Sequence, residues 1–234
     1  QMSIMPQADP SVEGFDISGT CIPAYEVGGD FYDYFWLGRD RRIFGVAVGD
    51  VAGKAMNAAM ISVMSNGMLS SKVRDSTSIA ALMRDLNGPL FDKTSDYVFT
   101  ALCLLSLDAG AKSASFSVAG FNNPILKSGV FARSLSVRGP QLPLGSLEQV
   151  AYEETSVRLE PGDVLCIFSD GLIEERNKAG EFYGLERLRS FVETLESGGM
   201  SARRIKDAII ADVLAFAGRR RHDDDITLVV VKTA

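Results

Sequence analysis

The sequence predicts an α+β fold in which antiparallel sheets are covered by helices. Strand-like segments come in blocks and helical segments in pairs, and no βαβ alternation runs through the chain. A length of 234 residues, 46% apolar and 23% charged, suits one large domain with a substantial core.

Residues 1–12 read as an entry linker, with a single domain over 13–234. Residues 15–22 alternate at period two on their apolar side, which predicts a strand. Residues 31–37 are aromatic-rich and 43–48 form a short apolar run. Gly38-Arg39-Asp40 supplies the turn between them, so a hairpin is expected. The period then lengthens. Met56, Ala59, Met60, Val63, Met64, Gly67 and Met68 recur at helical spacing over 55–73, and a methionine stripe of this kind is expected to pack in the core. Ile79, Leu82, Met83, Leu86 and Leu90 mark a second helix, with Ser76, Thr77 or Ser78 as its N-cap. Strands resume at 97–107, 114–118 and 124–127 as an expected meander, then at 150–159 and 164–168, with Pro161-Gly162-Asp163 as a turn. Helices are expected over 185–195 and 202–216, and a buried closing strand over 226–231.

Composition excludes several classes of function. Lys plus Arg is 24 against 30 for Asp plus Glu, a net charge of −6, so no basic excess exists to neutralise nucleic-acid phosphates. The clusters Arg39, Arg41, Arg42 and 219–221 read as solvated surface. No apolar run reaches the roughly 18 residues that span a bilayer, and no signal pattern opens the chain, so the expected compartment is the cytoplasm. Cys21, Cys103 and Cys166 lie in apolar contexts without metal spacing and read as reduced core residues. His222 is the single histidine; it reads as an exposed turn residue, with a general-acid role as the less favoured reading. A Ser-His-Asp triad or a zinc site needs more than this. Any chemistry here must be carried by carboxylates.

Four acidic turns answer that requirement: Gly28-Gly29-Asp30, Gly49-Asp50-Val51-Ala52-Gly53-Lys54, Phe168-Ser169-Asp170-Gly171 and Asp223-Asp224-Asp225-Ile226-Thr227. Each places an aspartate at the end of a predicted strand. Taken singly, each is an ordinary turn or cap. Together they are what hard divalent cations require: oxygen ligands with room for water. Two such cations would balance four carboxylates, acidify a bridging water and polarise a phosphoryl oxygen.

These motifs, with Asp30-Phe31-Tyr32-Asp33, Ala119-Gly120-Phe121-Asn122-Asn123-Pro124 and Gly171-Leu172-Ile173-Glu174, occur in an order that resembles the type 2C metal-dependent protein phosphatases, in their bacterial SpoIIE/RsbU-like branch. The resemblance runs from about residue 6 to residue 232. It implies a four-layer α-β-β-α sandwich and two Mn²⁺ or Mg²⁺ ions. It implies Asp50 as bridging ligand, Val51 through its carbonyl, and Asp30, Asp170 and Asp224 as further ligands. Asp33 and Asp225 would orient ligands or waters. Asp223 has no counterpart in the motif and reads as an exposed acid. Two departures stand out: Phe121 where relatives usually have histidine, and Ala55 where they have glycine.

The resemblance further implies a serine/threonine phosphoprotein phosphatase, the output domain of a bacterial signalling protein that follows a receiver or other sensory domain. Its expected substrate is a phosphoserine or phosphothreonine protein, a STAS-type anti-sigma-factor antagonist. Nucleic acid and membrane are not expected partners; a homodimer is compatible with the reading. Because the helix pair over 55–90 follows Asp50 directly, a shift of that pair is expected to move this ligand. The main alternative is a pseudophosphatase that keeps the fold as a binding module, which Phe121 and Ala55 favour and the intact aspartates oppose. A small-molecule phosphatase or nuclease, and a calcium-stabilised domain without EF-hand spacing, are weaker rivals.

Overall fold

A computed structural model describes residues 1–53, 55–94, 98–218 and 222–234. Lys54, Tyr97 and the arginines at 219–221, which enter the readings above, lie outside these residues, as does the side chain of Ala55. The elements in chain order are β1 (Ser11–Val12), β2 (Phe15–Ile22), β3 (Phe31–Leu37), β4 (Ile43–Val51), α1 (Ala55–Lys72), α2 (Ile79–Lys93), β5 (Thr100–Asp108), β6 (Ser113–Ala119), β7 (Ile125–Ser128), β8 (Phe131–Ser134), β9 (Thr155–Arg158), β10 (Val164–Phe168), α3 (Asp170–Glu174), α4 (Leu185–Thr194), α5 (Ala202–Ala217) and β11 (Ile226–Thr233).

The strands form two antiparallel sheets. One runs β1-β2-β11-β10-β7-β8 and the other β3-β4-β5-β6-β9. The near-continuous apolar runs of β10 and β11 reflect burial on both faces. Leu165, Ile167, Val229 and Val231 join the core that also holds Val46, Val48 and Leu105 of the other sheet. Their alternate neighbours Val164, Cys166, Phe168, Leu228 and Val230 pack under α4 and α5, against Leu188, Val192, Ile205 and Ile209. Each such side chain, fully buried, is worth about 1.5–3 kcal/mol. With α1 and α2 over the second sheet, the layers are α-β-β-α, as expected.

The β3–β4 hairpin forms with Leu37 opposite Ile43, and the α2 N-cap is Ser78, whose hydroxyl accepts from the Ala81 N–H at 3.1 Å. Cys103 and Cys166 are buried and all three cysteines are free.

Two expectations fail, the second only in part. The meander breaks after β6: the chain turns at Gly120 (φ 65), and β7 joins β10 in the opposite sheet. Alternation records which side of a strand is buried, not which sheet it joins. The methionine stripe of α1 divides: Met56 and Met60 are 63% and 64% exposed, while Met64 and Met68, half-buried, pack against the core. The fully buried positions of the helix are Ala58, Ala59, Ser62, Ser65, Asn66 and Leu69, whose mostly small side chains let the helix lie close to the sheet. Residues 1–12 pack along the domain. Met5 is buried in the core, and β1 pairs with β2.

Candidate metal centre

Register brings the acidic turns together. β3 begins where β4 ends, Phe31 lying opposite Gly49. In the other sheet β10 ends where β11 begins, Phe168 opposite Leu228, and Ile22 lies opposite Ile226. Asp30, Asp50, Asp170, Asp224 and Asp225 therefore flank the same end of the sandwich.

Hydrogen bonds fix this end. The Thr227 hydroxyl donates to Asp30 Oδ2 at 2.6 Å. Asp225 accepts from two backbone N–H groups, Ala24 at 2.8 Å and Asp30 at 3.3 Å, so its carboxylate ties down both ends of the 24–30 loop. Ser169 bridges from β10 to β11: its hydroxyl donates to the Asp225 carbonyl at 3.3 Å and accepts from the Thr227 N–H at 3.0 Å. The Asp225 N–H donates to Asp224 Oδ1 at 2.8 Å. Gly29 packs against the ligand strand: a Cβ there would stand 2.6 Å from the Val51 carbonyl oxygen and 3.2 Å from Asp50 Oδ1. Only glycine fits so close an approach.

The electrostatics of this end are those of crowded acids. Burial, then the neighbouring charges of Asp170, Asp224 and Asp225, pushes Asp50 up to about 7 despite a bond with Asp30. Burial and then Asp50 hold Asp30 well above the ordinary carboxylate range, against the lowering effect of Thr227 and Ser169. Asp170 is raised by burial and then by Glu174, with backbone N–H groups opposing. Burial and the Asp30 charge push the Cys21 thiol up to about 12. Acids that resist ionisation because of one another call for positive charge.

The donor set fits a hard divalent cation, since every donor is oxygen. Among the described residues no three His, Cys, Asp or Glu side chains close into a finished cage.

Not every residue singled out from the sequence arrives here. Asp33 lies three residues beyond Asp30, about 10 Å along an extended strand. It lines a groove with Ser71 and Arg74, and its Oδ1 accepts from the Tyr34 N–H at 2.8 Å; burial raises its pKa without help from the other acids. The structure does not bring Asp33 to the cleft. His222 is not an exposed turn residue: its Nδ1 lies 2.9 Å from Oε2 of Glu175, a side chain only 1% exposed. Phe121 packs in the main core. Sequence reasoning missed the roles of Thr227, Ser169 and Glu175. Thr227 and Ser169 sit inside the acidic motifs, where an alternating Ser or Thr beside the aspartate was the available signal. Glu175 carried none.

The fold is that of PP2C-type phosphatase domains. The PP2C phosphatase domain of SpoIIE from Bacillus subtilis superposes with a TM-score of 0.80 at 23% identity, covering 94% of this chain and 61% of that one. RsbX, solved in complex with magnesium, gives 0.70 at 16% identity over 97% and 99%. The chain belongs to the family described as Stage II sporulation protein E (SpoIIE), whose model matches residues 40–234. It is 26% identical to Protein IcfG of Synechocystis sp., covering 99% of this chain and 40% of that protein. It is 24% identical to Phosphoserine phosphatase RsbU of Bacillus subtilis, covering 99% and 67%. The chain thus spans well under half the length of the first of these relatives.

Proposed function

We propose that this domain hydrolyses phosphoserine or phosphothreonine on a protein partner with the help of two Mn²⁺ or Mg²⁺ ions. The convergence of Asp30, Asp50, Asp170 and Asp224 carries the reading, with Asp50 pushed up to about 7 by its acidic neighbours. Asp50 would bridge, the Val51 carbonyl would add a neutral oxygen, and Asp30, Asp170 and Asp224 would complete the set. When bound, the ions supply positive charge that polarises the phosphoryl group and acidifies water. Asp225 and Thr227 hold Asp30 in place, and Ser169 fixes β10 to β11. Asp170 and Asp224 share the far side of the cleft, so that the negative charge gathered there is unfavourable until cations enter.

The likeness to RsbU supports a phosphoserine protein as substrate, and a STAS-type anti-sigma-factor antagonist is the partner we favour. A receiver or sensory domain preceding residues 1–12, a homodimer and a cytoplasmic setting belong to the same reading. Among the described residues no helix is long and apolar enough to cross a membrane. Phe121 lends the binding-module alternative little support, because its core position explains it.

Turnover of p-nitrophenyl phosphate and of a phosphoserine protein in Mn²⁺ tests the proposal. Asp50→Ala and Asp170→Asn should each lower kcat by at least about a hundredfold, as expected when charge stabilisation of the transition state is lost. Wild-type inactivity in Mn²⁺ and Mg²⁺ alike, with no metal binding by calorimetry, would leave a binding module.

A further inference from the structure

The segment that leads into the domain touches the acid cleft at one point. Both polar atoms of the Gln1 side-chain amide engage the backbone of a single residue. Its Nε2 donates to the Gly28 carbonyl at 2.6 Å, and its Oε1 accepts from the Gly28 N–H at 3.2 Å. Gly28 lies in the loop that carries Asp30, two residues before it. It lies so close to Asp225 that a Cβ at this position would fall 1.7 Å from Asp225 Oδ2. That same Oδ2 accepts from the Asp30 N–H. The other Asp225 oxygen holds Ala24. The loop is thus gripped from inside by Asp225, which belongs to β11's entry, and from outside by Gln1.

The rest of the segment is anchored independently. Met5 is buried in the core, and the Pro6 carbonyl accepts from the Tyr32 hydroxyl at 3.3 Å. Gln1 can therefore be lost without freeing residues 5–12, and its contribution can be separated from that of the segment as a whole.

We propose that Gln1 is a positioning residue for the metal centre: its two-point grip on Gly28 presses the 24–30 loop onto Asp225 and so presets Asp30 for a divalent cation. The inference rests on the metal-centre reading above. The grip acts before any metal is present, since every bond in it joins groups of the chain itself. Its effect belongs to metal affinity and not to the chemical step, because the Gln1 side chain bonds to the backbone of Gly28 and not to a proposed ligand. A corollary follows for control: whatever pulls on the chain at residue 1 pulls on the Asp30 loop directly, without passing through the helices.

Gln1→Ala tests this, with Gln7→Ala as a control in the same segment that lacks the Gly28 contact. The expected result for Gln1→Ala is a rise in the Mn²⁺ dissociation constant of about three- to tenfold by calorimetry, the scale of one or two lost hydrogen bonds. The value of kcat at saturating Mn²⁺ stays within about twofold, because only ground-state assembly of the site is weakened. In metal-free protein, hydrogen exchange of amides 24–30 should quicken in Gln1→Ala and not in Gln7→Ala. Gln1→Glu, which keeps the acceptor for the Gly28 N–H but sets a carboxylate against the Gly28 carbonyl, should weaken Mn²⁺ binding at least as much as alanine. Unchanged Mn²⁺ affinity and unchanged loop exchange in Gln1→Ala would overturn the inference. So would equal effects from Gln7→Ala. A wild-type protein that binds no Mn²⁺ would instead overturn the metal-centre reading itself, and the exchange measurement would still report whether the grip exists.

Discussion

The helices α5 and α1 cover opposite sheets, and while the buried face of α5 is wholly apolar, that of α1 is partly polar. α5 starts at Ser201, whose hydroxyl accepts from the Arg204 N–H at 3.3 Å, and stops at Gly218 in the left-handed conformation (φ 58). Between these caps it buries Ile205, Ile209 and Val213. α1 buries Ser62, Ser65 and Asn66 and turns Met56, Met60 and Val63 outward. The Ser65 hydroxyl reaches Thr100 at 3.4 Å, but Ser62 Oγ and Asn66 Oδ1 are buried with no partner among the described residues. One helix is tied to its sheet by packing that nothing opposes. The other lies over a polar seam that costs free energy to bury, and it begins four residues after Val51. The wall of the cleft formed by β10 and β11 thus rests on apolar packing, while the helix that follows the Asp50 strand rests partly on buried polar groups.

This contrast can be broken in several ways. The largest stability effect is expected in the well-packed layer. Ile209→Ala should cost about 2–5 kcal/mol, read as a lower midpoint in urea unfolding. Equal tolerance of this change and of changes in α1 would erase the distinction.

The next effect concerns the cleft between the layers. Asp50 is raised to about 7 in the folded chain, against roughly 3.9 when unfolded. A raised acid holds its proton more tightly folded than unfolded, so its contribution to stability is whole below about pH 4 and is lost as pH climbs through 7. In chelator, the melting temperature should fall between pH 5 and pH 8, and Asp50→Asn should flatten that slope. Mn²⁺ should reverse it, since ligands bind metal in the deprotonated form.

Smaller still is the expected result in the polar seam. Ser62→Ala removes a buried hydroxyl without a partner among the described residues and should be neutral or stabilising by up to about 1 kcal/mol in urea unfolding. The matching change in α5, Ile205→Ser, should be strongly destabilising. Least of all, Met60→Lys on the exposed face of α1 should move stability by no more than about 0.5 kcal/mol. Its turnover should nevertheless change if α1 carries Asp50 with it, and phosphatase assays beside the melting curve separate the two.

The acids of the cleft were legible because each stands where one hydrophobic period stops and a glycine or further acid follows. Asp30, Asp50, Asp170 and Asp224 could be picked out from that pattern, and so could antiparallel sheets covered by helix pairs; the number of sheets came only with the family resemblance. The orientation of α1 was only partly legible: its apolar residues run nearly all round, and of its methionines Met64 and Met68 pack against the core while Met56 and Met60 face outward. The crossing of β7 to the other sheet was hidden for want of any local signal. The pairing of His222 with Glu175 joins positions 47 residues apart, and nothing near either residue announces it. Asp33 misled because it repeats the chemistry of Asp30 at a distance that an extended chain carries away from the cleft.

β11 lies between β2 and β10, although some two hundred residues separate it in sequence from β2. During synthesis, a nascent chain halted before residue 226 would have a gap in the middle of that sheet, and Asp30 would lack the Thr227 hydroxyl that holds it. Truncated translation products should therefore be incompetent as well as unstable, and the ribosome must deliver β11 before the cleft can exist at all.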